Sequence, residues 1–192
     1  MAIFRVFFFL FFVVGSYLPS NANAQHIEQL FDEESTLDLS DSLYFLFETD
    51  YQLTISDVSR RRNDFLMHPH DNPNFGFRNN GMWLLTSVAN VSNEKHWVFS
   101  INFSQLDSVD FYLVQDGKVL KQSHQGKAQK EQRFRVPTFR VELPDSDPVD
   151  LYIRIESRSS SLIAPLRIQA EPLHSSYFQM DSLLWGFFYG GL

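Results

Sequence analysis

The sequence predicts an all-β fold, in which two antiparallel sheets pack face to face in a sandwich of the jelly-roll type. Apolar residues recur at every second position through much of the chain, which is the spacing of a strand with one buried face. Short turn motifs separate these runs, and no long amphipathic helix lies between them. Strands joined by short turns pair in antiparallel order, so parallel βαβ units are not indicated. A chain of 192 residues is long enough to bury the core of such a sandwich without disulfides.

The N-terminal segment has the features of a signal peptide. Residues 1–5 carry one positive charge, residues 6–14 are wholly apolar, and Ala22-Asn23-Ala24 places small residues before a cleavage site. We therefore expect residues 1–24 to be removed and a periplasmic domain to begin at residue 25. The alternative is an uncleaved membrane anchor. It is less favoured because the apolar run is much shorter than the ~20 residues of a membrane span.

Eight strands are expected between the two ends of the chain. The clearest is the run 149–155, in which Val149, Leu151 and Ile153 alternate with polar residues. Asp116-Gly117 lies between two alternating runs and predicts a tight hairpin, because Gly accepts the positive φ of a type I′ turn. The expected strands cover residues 43–47, 82–89, 95–103, 109–113, 118–122, 139–143, 149–155 and 166–170.

The irregular segment 50–81 separates the first two strands. We expect it to be a long connection that caps one end of the sandwich. Trp83 and Trp97 are expected in the core, with the wall of a pocket as the alternative for Trp83. Asn90 is expected to end its strand.

Composition and motif content exclude several classes of function. The chain carries a formal net charge of −7, which disfavours general binding to nucleic-acid backbones. It contains no cysteine, so disulfides, zinc–thiolate sites, iron–sulfur clusters and cysteine nucleophiles are excluded. It has no Gly-x-Ser-x-Gly motif, no His-Glu-x-x-His motif and no phosphate-binding glycine loop. We therefore expect a protein that is not an enzyme and that has no cofactor.

Two groups of potential site residues are better explained without a site. His68-Pro69-His70-Asp71 offers two imidazoles and a carboxylate to a metal ion, but the proline interrupts regular structure and no third ligand has motif spacing. A solvated loop is therefore favoured there. A second group of acids lies on a strand or in turns, which is typical of solvated carboxylates rather than of a glycosidase pair. These acids are Asp107, Asp110 and Asp116.

Three arginines and three aromatic side chains lie at the strand positions that alternate with the buried apolar ones, so they are expected to point away from the core. If the strands of Arg140, Arg154 and Arg167 belong to one sheet, their guanidinium groups gather on one face and can bind carboxylate or phosphate groups. Aromatic rings in the same phase can stack on the apolar faces of a sugar. We therefore predict that a small polar ligand, a saccharide or an anionic metabolite, contacts Arg140, Tyr152, Arg154, Arg167, Tyr112 and His96.

A simpler alternative for the arginines stays open. They can form cross-strand ion pairs with Glu142, Asp150 and Glu156, each of which contributes little to stability. On the ligand hypothesis, alanine at Arg154 or Tyr152 weakens binding and leaves the thermal melt little changed.

The last ten residues, 183–192, are apolar and aromatic and carry no charge. Two alternatives stay open on composition alone: a buried C-terminal element of the domain, or the opening of a transmembrane helix. Trp185 and Tyr189 suit a membrane–water interface, and the glycines suit close helix packing in lipid.

A series of short motifs follows in a characteristic order. The series comprises Glu48-Thr49-Asp50, residues 53–58, Phe65, Asn74-Phe75-Gly76, Met82-Trp83-Leu84, Asn90, residues 106–112, Gly126, Arg133, Phe139, Leu151-Tyr152-Ile153-Arg154 and residues 185–190. In this order the motifs resemble the periplasmic sensor domain, type two, of the seven-transmembrane receptors with diverse intracellular signalling modules (7TMR-DISM). The resemblance covers residues 37–192.

The resemblance implies an architecture beyond this chain. It implies a jelly-roll sandwich similar to carbohydrate-binding modules, followed by seven membrane helices and a cytoplasmic output module such as a histidine kinase or a diguanylate cyclase. Residues 25–181 would form the periplasmic sensor domain, and residues 182–192 would begin the first transmembrane helix. The full-length protein would then be anchored in the inner membrane through helices that are missing from this chain.

We therefore expect a periplasmic ligand-sensing domain of a bacterial membrane signalling receptor. Its expected partners are a small molecule and the membrane, and not nucleic acid. Two alternatives stay open: a secreted carbohydrate-binding module, and a sandwich that binds a protein partner, neither of them with a signalling role.

Overall fold

All eight strands expected from the sequence are present in the computed structural model of the chain, which describes residues 26–31, 36–49, 52–69, 72–127, 135–145 and 147–171. The expected signal peptide at residues 1–24 lies outside the described residues. So does the apolar segment 182–192, and both boundaries stay predictions.

The structure adds three short strands to the eight. They contain four, three and two residues, which is too short for an alternating pattern to be recognised in the sequence. Two single-turn 3₁₀ helices lie at Ser40–Ser42 and Arg62–Asp64. The strands and the one α-helix of the described residues are β1 (Ile27–Leu30), β2 (Thr36–Asp38), β3 (Tyr44–Phe47), α1 (Ile55–Arg60), β4 (Leu66–Met67), β5 (Met82–Asn90), β6 (His96–Ile101), β7 (Ser108–Gln115), β8 (Lys118–Gln125), β9 (Thr138–Glu142), β10 (Pro148–Glu156) and β11 (Leu166–Ala170).

These strands form two sheets, which confirms the predicted sandwich. The larger sheet has the order β4-β3-β5-β10-β7-β8, with β1 paired to the second half of β5. The smaller sheet has the order β2-β11-β6-β9. Every pairing is antiparallel except that of β1 with β5. No helix within the described ranges is long and apolar enough to cross a membrane.

The main core lies between the two sheets and follows the predicted alternation. Ile153 of β10 and Phe99 of β6 are fully buried in it. The rings of Phe111 and Phe139 stack with their centroids 4.7 Å apart, so the two sheets are in direct contact.

Strand β5 is buried on both of its faces, and this explains the layer that covers the larger sheet. Leu84 faces the main core, whereas Trp83 and Leu85 face outward into a second apolar cluster. Residues 53–65 cover that outward face with Leu53, Val58 and Phe65. The expectation that segment 50–81 only caps one end of the sandwich is therefore wrong for residues 53–65, because the outward aromatic and aliphatic side chains of β5 and β10 require cover.

The Asp116-Gly117 hairpin is present as predicted. The two residues have φ values of 49° and 75°, which are the positive values that a type I′ turn requires. Asn90 ends β5 as expected, since its amide donates to Glu94 O at 2.8 Å and its carbonyl accepts from the Ser92 hydroxyl at 2.9 Å.

The strand register defines two opposite ends of the sandwich. At the exit end, β5 finishes at Asn90 beside the start of β10, and β11 finishes at Ala170. The described chain ends there, at residue 171. At the far end, β5 begins at Met82 and β10 finishes at Glu156. A side chain near Glu156 is therefore separated from the exit end by most of the length of β10, about 30 Å for nine extended residues.

Candidate functional site

The structure divides the six predicted site residues between the two sheets. Tyr112, Tyr152 and Arg154 lie on the outward face of the larger sheet. The other three, which are Arg140, Arg167 and His96, lie on the smaller sheet. The outward faces of two packed sheets point in opposite directions, so the expectation that all six share one face is wrong. Alternation predicts whether a side chain points toward the core, but it does not reveal which sheet carries it.

The three residues on the smaller sheet take part in solvent-exposed pairs. Arg140 Nε lies 2.6 Å from Glu171 Oε1, and Arg167 Nε lies 3.5 Å from Asp38 Oδ2. His96 Nδ1 lies 3.4 Å from Glu94 Oε1. These partners differ from the acids named in the simpler alternative, but the role is the same: cross-strand and loop contacts that each contribute little.

Arg154 is the residue around which the candidate site is built. It lies on β10 opposite Trp83 of β5, and only 7% of its side chain is exposed. Its Nε donates to Glu48 Oε1 at 2.8 Å, and its Nη2 donates to Glu48 Oε2 at 2.8 Å. This two-point arrangement matches the fork of the guanidinium to the two oxygens of the carboxylate. Burial alone would lower the pKa of Arg154, but the hydrogen bonds and charge of Glu48 outweigh it, so the pKa lies above the ordinary value.

Glu48 follows β3 directly and collects donors from three elements. Besides the two bonds from Arg154, Oε1 accepts from the Trp83 indole at 2.9 Å and from the Leu53 backbone N–H at 3.1 Å. A buried carboxylate needs such a set of donors, because leaving it without partners costs several kcal/mol. Glu48 is thus a fully satisfied buried anion. The sequence offered only a faint indication of it, as the first residue of the Glu48-Thr49-Asp50 motif.

Gly81 is required by this ion pair for a steric reason. A methyl group on its Cα would lie 2.6 Å from Arg154 Nη2 and 2.7 Å from Glu48 Oε2, which is too close for any side chain. The Gly81 carbonyl also accepts from the Glu48 backbone N–H at 3.1 Å. The position just before β5 therefore leaves room for the guanidinium and the carboxylate side by side.

A cleft of about 250 Å³ opens at the far end of the sandwich beside this ion pair. Its walls come from the ends of β3 and β10 and from the segments just after β3 and before β5. Asn80 helps to shape it, since its amide donates to the backbone carbonyls of Glu48, at 3.4 Å, and Thr49. The lining residues are Glu48, Thr49, Gln52, Asn79, Asn80, Gly81, Arg154, Glu156 and Arg158. Arg154 is the only one of these residues that the sequence predicts as a binding residue.

The charges of the cleft balance one another. Arg154 Nη1 lies 3.2 Å from Glu156 Oε2, and Arg158 Nε lies 3.4 Å from Glu156 Oε1. With Glu48, the cleft carries two guanidinium groups and two carboxylates. The remaining lining is made of amides, a hydroxyl and backbone, which offer both donors and acceptors of hydrogen bonds.

The two tyrosines of the predicted site belong to the layer next to the cleft. Tyr152 is 2% exposed and meets the Phe65 ring edge-on at 6.0 Å, so it is buried beneath residues 53–65. Tyr112 is partly exposed and stacks on Trp83 with the centroids 5.7 Å apart. Burial raises the pKa of both tyrosines, and the carboxylates of Asp150 and Asp110 add to this effect.

This burial corrects one expectation about stability. On the ligand hypothesis, alanine at Arg154 or Tyr152 leaves the thermal melt little changed. Both side chains are almost completely buried and in contact with other elements, so we instead expect both substitutions to destabilise the fold. Ligand binding has to be tested at other residues of the cleft.

The solvated loop favoured for residues 68–71 is wrong for His68. His68 is 7% exposed and its ring lies 4.9 Å from the ring of Phe75. Residues 70 and 71 lie outside the described part of the chain. Within the described residues, no group of three or more His, Asp or Glu side chains is placed to hold a metal ion.

A wider depression of about 500 Å³ lies between β8 and β9 toward the exit end. Its floor includes Leu113, Leu120 and Leu143, and Lys95 on its rim pairs with Asp145 at 3.3 Å. It lacks the buried charged pair of the smaller cleft. For this reason the far-end cleft is the better candidate site.

Comparison with known proteins agrees with the resemblance noted in the sequence. The family model described as 7TMR-DISM extracellular 2 matches residues 40–170, which is more than half of the chain and includes every residue of the cleft. A search of curated proteins found no match to the chain. The chain therefore belongs to the 7TMR-DISM extracellular 2 family, whose members are extracellular sensor domains of receptors.

Proposed function

We propose that the chain is the periplasmic ligand-sensing domain of a bacterial membrane signalling receptor, and that it binds a small polar ligand such as a saccharide in the far-end cleft. Membership of the receptor family supports the sensing role. One observation carries the choice of site: convergent amide, carboxylate and guanidinium groups line a cavity over a buried, fully hydrogen-bonded ion pair.

The charges of the cleft favour a neutral ligand over an anionic one. Both guanidinium groups already face carboxylates, and the fork of Arg154 is occupied by Glu48. An anion that binds Arg154 would have to displace the buried Glu48 carboxylate, which is costly. Hydroxyl groups donate and accept hydrogen bonds, as do the amides of Gln52 and Asn79, so a polyhydroxylated molecule matches the cleft. The volume suits a ligand of monosaccharide size.

The position of the cleft suits a receptor. It lies at the end of the sandwich opposite to the point where the described chain stops after β11. In the proposed architecture, residues 1–24 are removed on export and residues 182–192 begin the first membrane helix. The cleft would then face away from the inner membrane and be open to solutes of the periplasm.

Calorimetric titration of the exported chain tests this proposal. The panel contains D-glucose, D-galactose, D-mannose, N-acetyl-D-glucosamine and, as anionic comparisons, acetate and inorganic phosphate. We expect at least one neutral sugar to bind. Alanine at Gln52 or Asn79 then weakens its affinity by about twofold to tenfold, the effect of losing one neutral hydrogen bond.

A matched control comes from the smaller sheet. Gln169 lies on β11, on the opposite side of the sandwich from the cleft, and Gln169→Ala should leave sugar affinity unchanged. Absence of heat with every sugar would refute saccharide binding. An equal loss of affinity in Gln52→Ala and Gln169→Ala would refute the choice of site.

A further inference from the structure

We propose that residues 53–65, here called the flap, open and close on the larger sheet separately from the sandwich, and that the Glu48 carboxylate holds the flap closed. The regulatory meaning of this inference rests on the proposed function, because Glu48 is also a wall of the cleft.

The flap has an apolar cluster of its own. Leu53, Val58 and Phe65 pack on outward side chains of the larger sheet and do not enter the core between the sheets. A segment that contributes three buried side chains and the partly buried Ile55 to a small peripheral cluster opens at a lower free energy than the strands of the main core. The flap can therefore leave the sheet while the sandwich stays folded.

The flap is also stabilised by hydrogen bonds within its own segment. It begins with a capping box, in which the Thr54 hydroxyl accepts from the Asp57 backbone N–H at 3.3 Å and the Asp57 carboxylate accepts from the Thr54 backbone N–H at 3.0 Å. Helix α1 and the following 3₁₀ turn thus form one short unit.

Polar contacts fasten this unit to the sheet at two places. At its start, the Leu53 backbone N–H donates to Glu48 Oε1. Near its end, Arg62 binds the Asp150 carboxylate, and its Nη2 donates to the Ser87 hydroxyl at 3.1 Å. Burial alone would lower the pKa of Arg62, but the hydrogen bond and charge of Asp150 raise it above the ordinary value, so this contact stabilises the charged guanidinium.

The first fastening is shared with the cleft. The Glu48 oxygen that accepts from Leu53 also accepts from Trp83 and from Arg154 Nε. Gln52, which lines the cleft, is the residue just before the flap. A ligand that contacts Gln52 or shifts Arg154 therefore acts on the hydrogen bond that closes the flap. If the ligand binds the closed state more tightly than the open state, it stabilises the closed state by that difference in affinity.

Trypsin offers a direct test, because the chain carries suitable sites in both units. Arg60, Arg61 and Arg62 lie within the flap, whereas Lys118 and Lys121 lie on β8, the strand at the edge of the larger sheet, and report opening of that edge. Proteolysis of a transiently opened segment follows the population of its open state. In the native chain without any ligand, we expect cleavage within the flap to be faster than cleavage on β8.

Two variants separate the flap from global unfolding. Val58→Ala removes a fully buried flap side chain without touching the ion pair. Glu48→Ala removes the acceptor of the Leu53 N–H and also leaves Arg154 without its partner, so its effect is read as the ratio of flap cleavage to β8 cleavage. We expect each to raise flap cleavage by about fivefold or more relative to cleavage on β8. Asp145→Asn, which removes a carboxylate from the exposed pair with Lys95, should change neither rate.

Two results would overturn the inference. If Val58→Ala raises cleavage in the flap and on β8 in the same proportion, the flap is not a separate unit. If Val58→Ala acts selectively and Glu48→Ala does not, Glu48 does not hold the flap. The assay contains no sugar, so its outcome is independent of whether any panel sugar binds in the cleft.

Discussion

The side chains of Glu48 and Arg154 meet through two hydrogen bonds of 2.8 Å, although 106 residues separate them in the sequence. Their side chains are 3% and 7% exposed, so this is a buried ion pair. It joins the end of β3 to the end of β10 and forms the wall of the cleft.

Removing the cation should be strongly destabilising. Arg154→Met keeps much of the apolar stem but leaves the Glu48 carboxylate buried without its charged partner, and we expect a loss of about 3–5 kcal/mol in the free energy of unfolding. Arg167→Met is the matched control, because that side chain is half exposed and pairs with Asp38 at 3.5 Å, so its loss should be below about 1 kcal/mol. Urea unfolding of both variants measures the difference. Equal losses would show that the Glu48–Arg154 pair is not effectively buried.

A methyl group at residue 81 should disturb the same pair. Gly81→Ala places Cβ within 2.7 Å of both partners, and we expect a loss of about 1–3 kcal/mol from the forced displacement. In the Arg154→Ala background one of the two clashes is gone, so the same substitution should cost measurably less. A double-mutant cycle in urea gives the coupling. Additive effects would contradict the steric explanation.

The interior phase of β10 predicts a clear contrast. Ile153 is fully buried between Leu84 and Phe111, so Ile153→Asp should lose about 4 kcal/mol or more, or fail to fold. Glu142→Gln, at the exposed end of β9, should stay within about 0.5 kcal/mol of the parent. Thermal melts of the two variants measure this contrast. Similar melting temperatures would show that the inward and outward faces of β10 are assigned wrongly.

Asp150 alternates with the buried residues of β10, but its carboxylate takes part in polar contacts. Its carboxylate accepts from the Ser87 hydroxyl at 2.7 Å and binds Arg62. Asp150→Asn should therefore cost more than Glu142→Gln, because it weakens one of the two polar contacts that hold residues 53–65.

The buried tyrosine of β10 predicts a loss of stability at alkaline pH. The pKa of Tyr152 is raised in the folded state, first by burial and then by the Asp150 carboxylate. The folded protein therefore holds this proton more tightly than the unfolded chain. The resulting stability is fully present below the ordinary tyrosine pKa of about 10 and is lost as the pH rises through the higher folded-state pKa. Tyr152→Phe should lose less stability than the parent between pH 9 and pH 11, as measured by urea unfolding; identical slopes would be inconsistent with a raised pKa.

The sequence was sufficient for the strands of the sandwich but not for its binding residues. Apolar residues recur at every second position in β6 and β10. Because successive side chains of a strand point to opposite faces of the sheet, this alternation identified the buried face. The same pattern could not show that Arg140 and Arg154 lie on different sheets, since pairing depends on contacts between distant segments. Strands β1, β2 and β4 were missed because they are short.

The cleft was largely invisible to pattern analysis for a related reason. The alternation in β10 predicts that Arg154 faces away from the core between the sheets, and this orientation is correct. Its burial comes from Glu48, 106 residues away, and from a position without a side chain, Gly81. Asn79 and Gln52 lie in irregular segments, where no periodicity marks a residue as part of a site.

The most direct test of ligand binding in the cleft uses the indole N–H signals of the tryptophans in a ¹H–¹⁵N correlation spectrum. The Trp83 indole donates to Glu48 beside the cleft, whereas the Trp97 indole donates to the Glu94 carbonyl at 3.0 Å, toward the exit end. Trp83→Phe and Trp97→Phe assign the two signals. On addition of a panel sugar that gives heat in calorimetry, the Trp83 signal should shift saturably and the Trp97 signal should stay fixed. A fixed Trp83 signal at saturating sugar, or an equal shift of both signals, would contradict binding in the cleft.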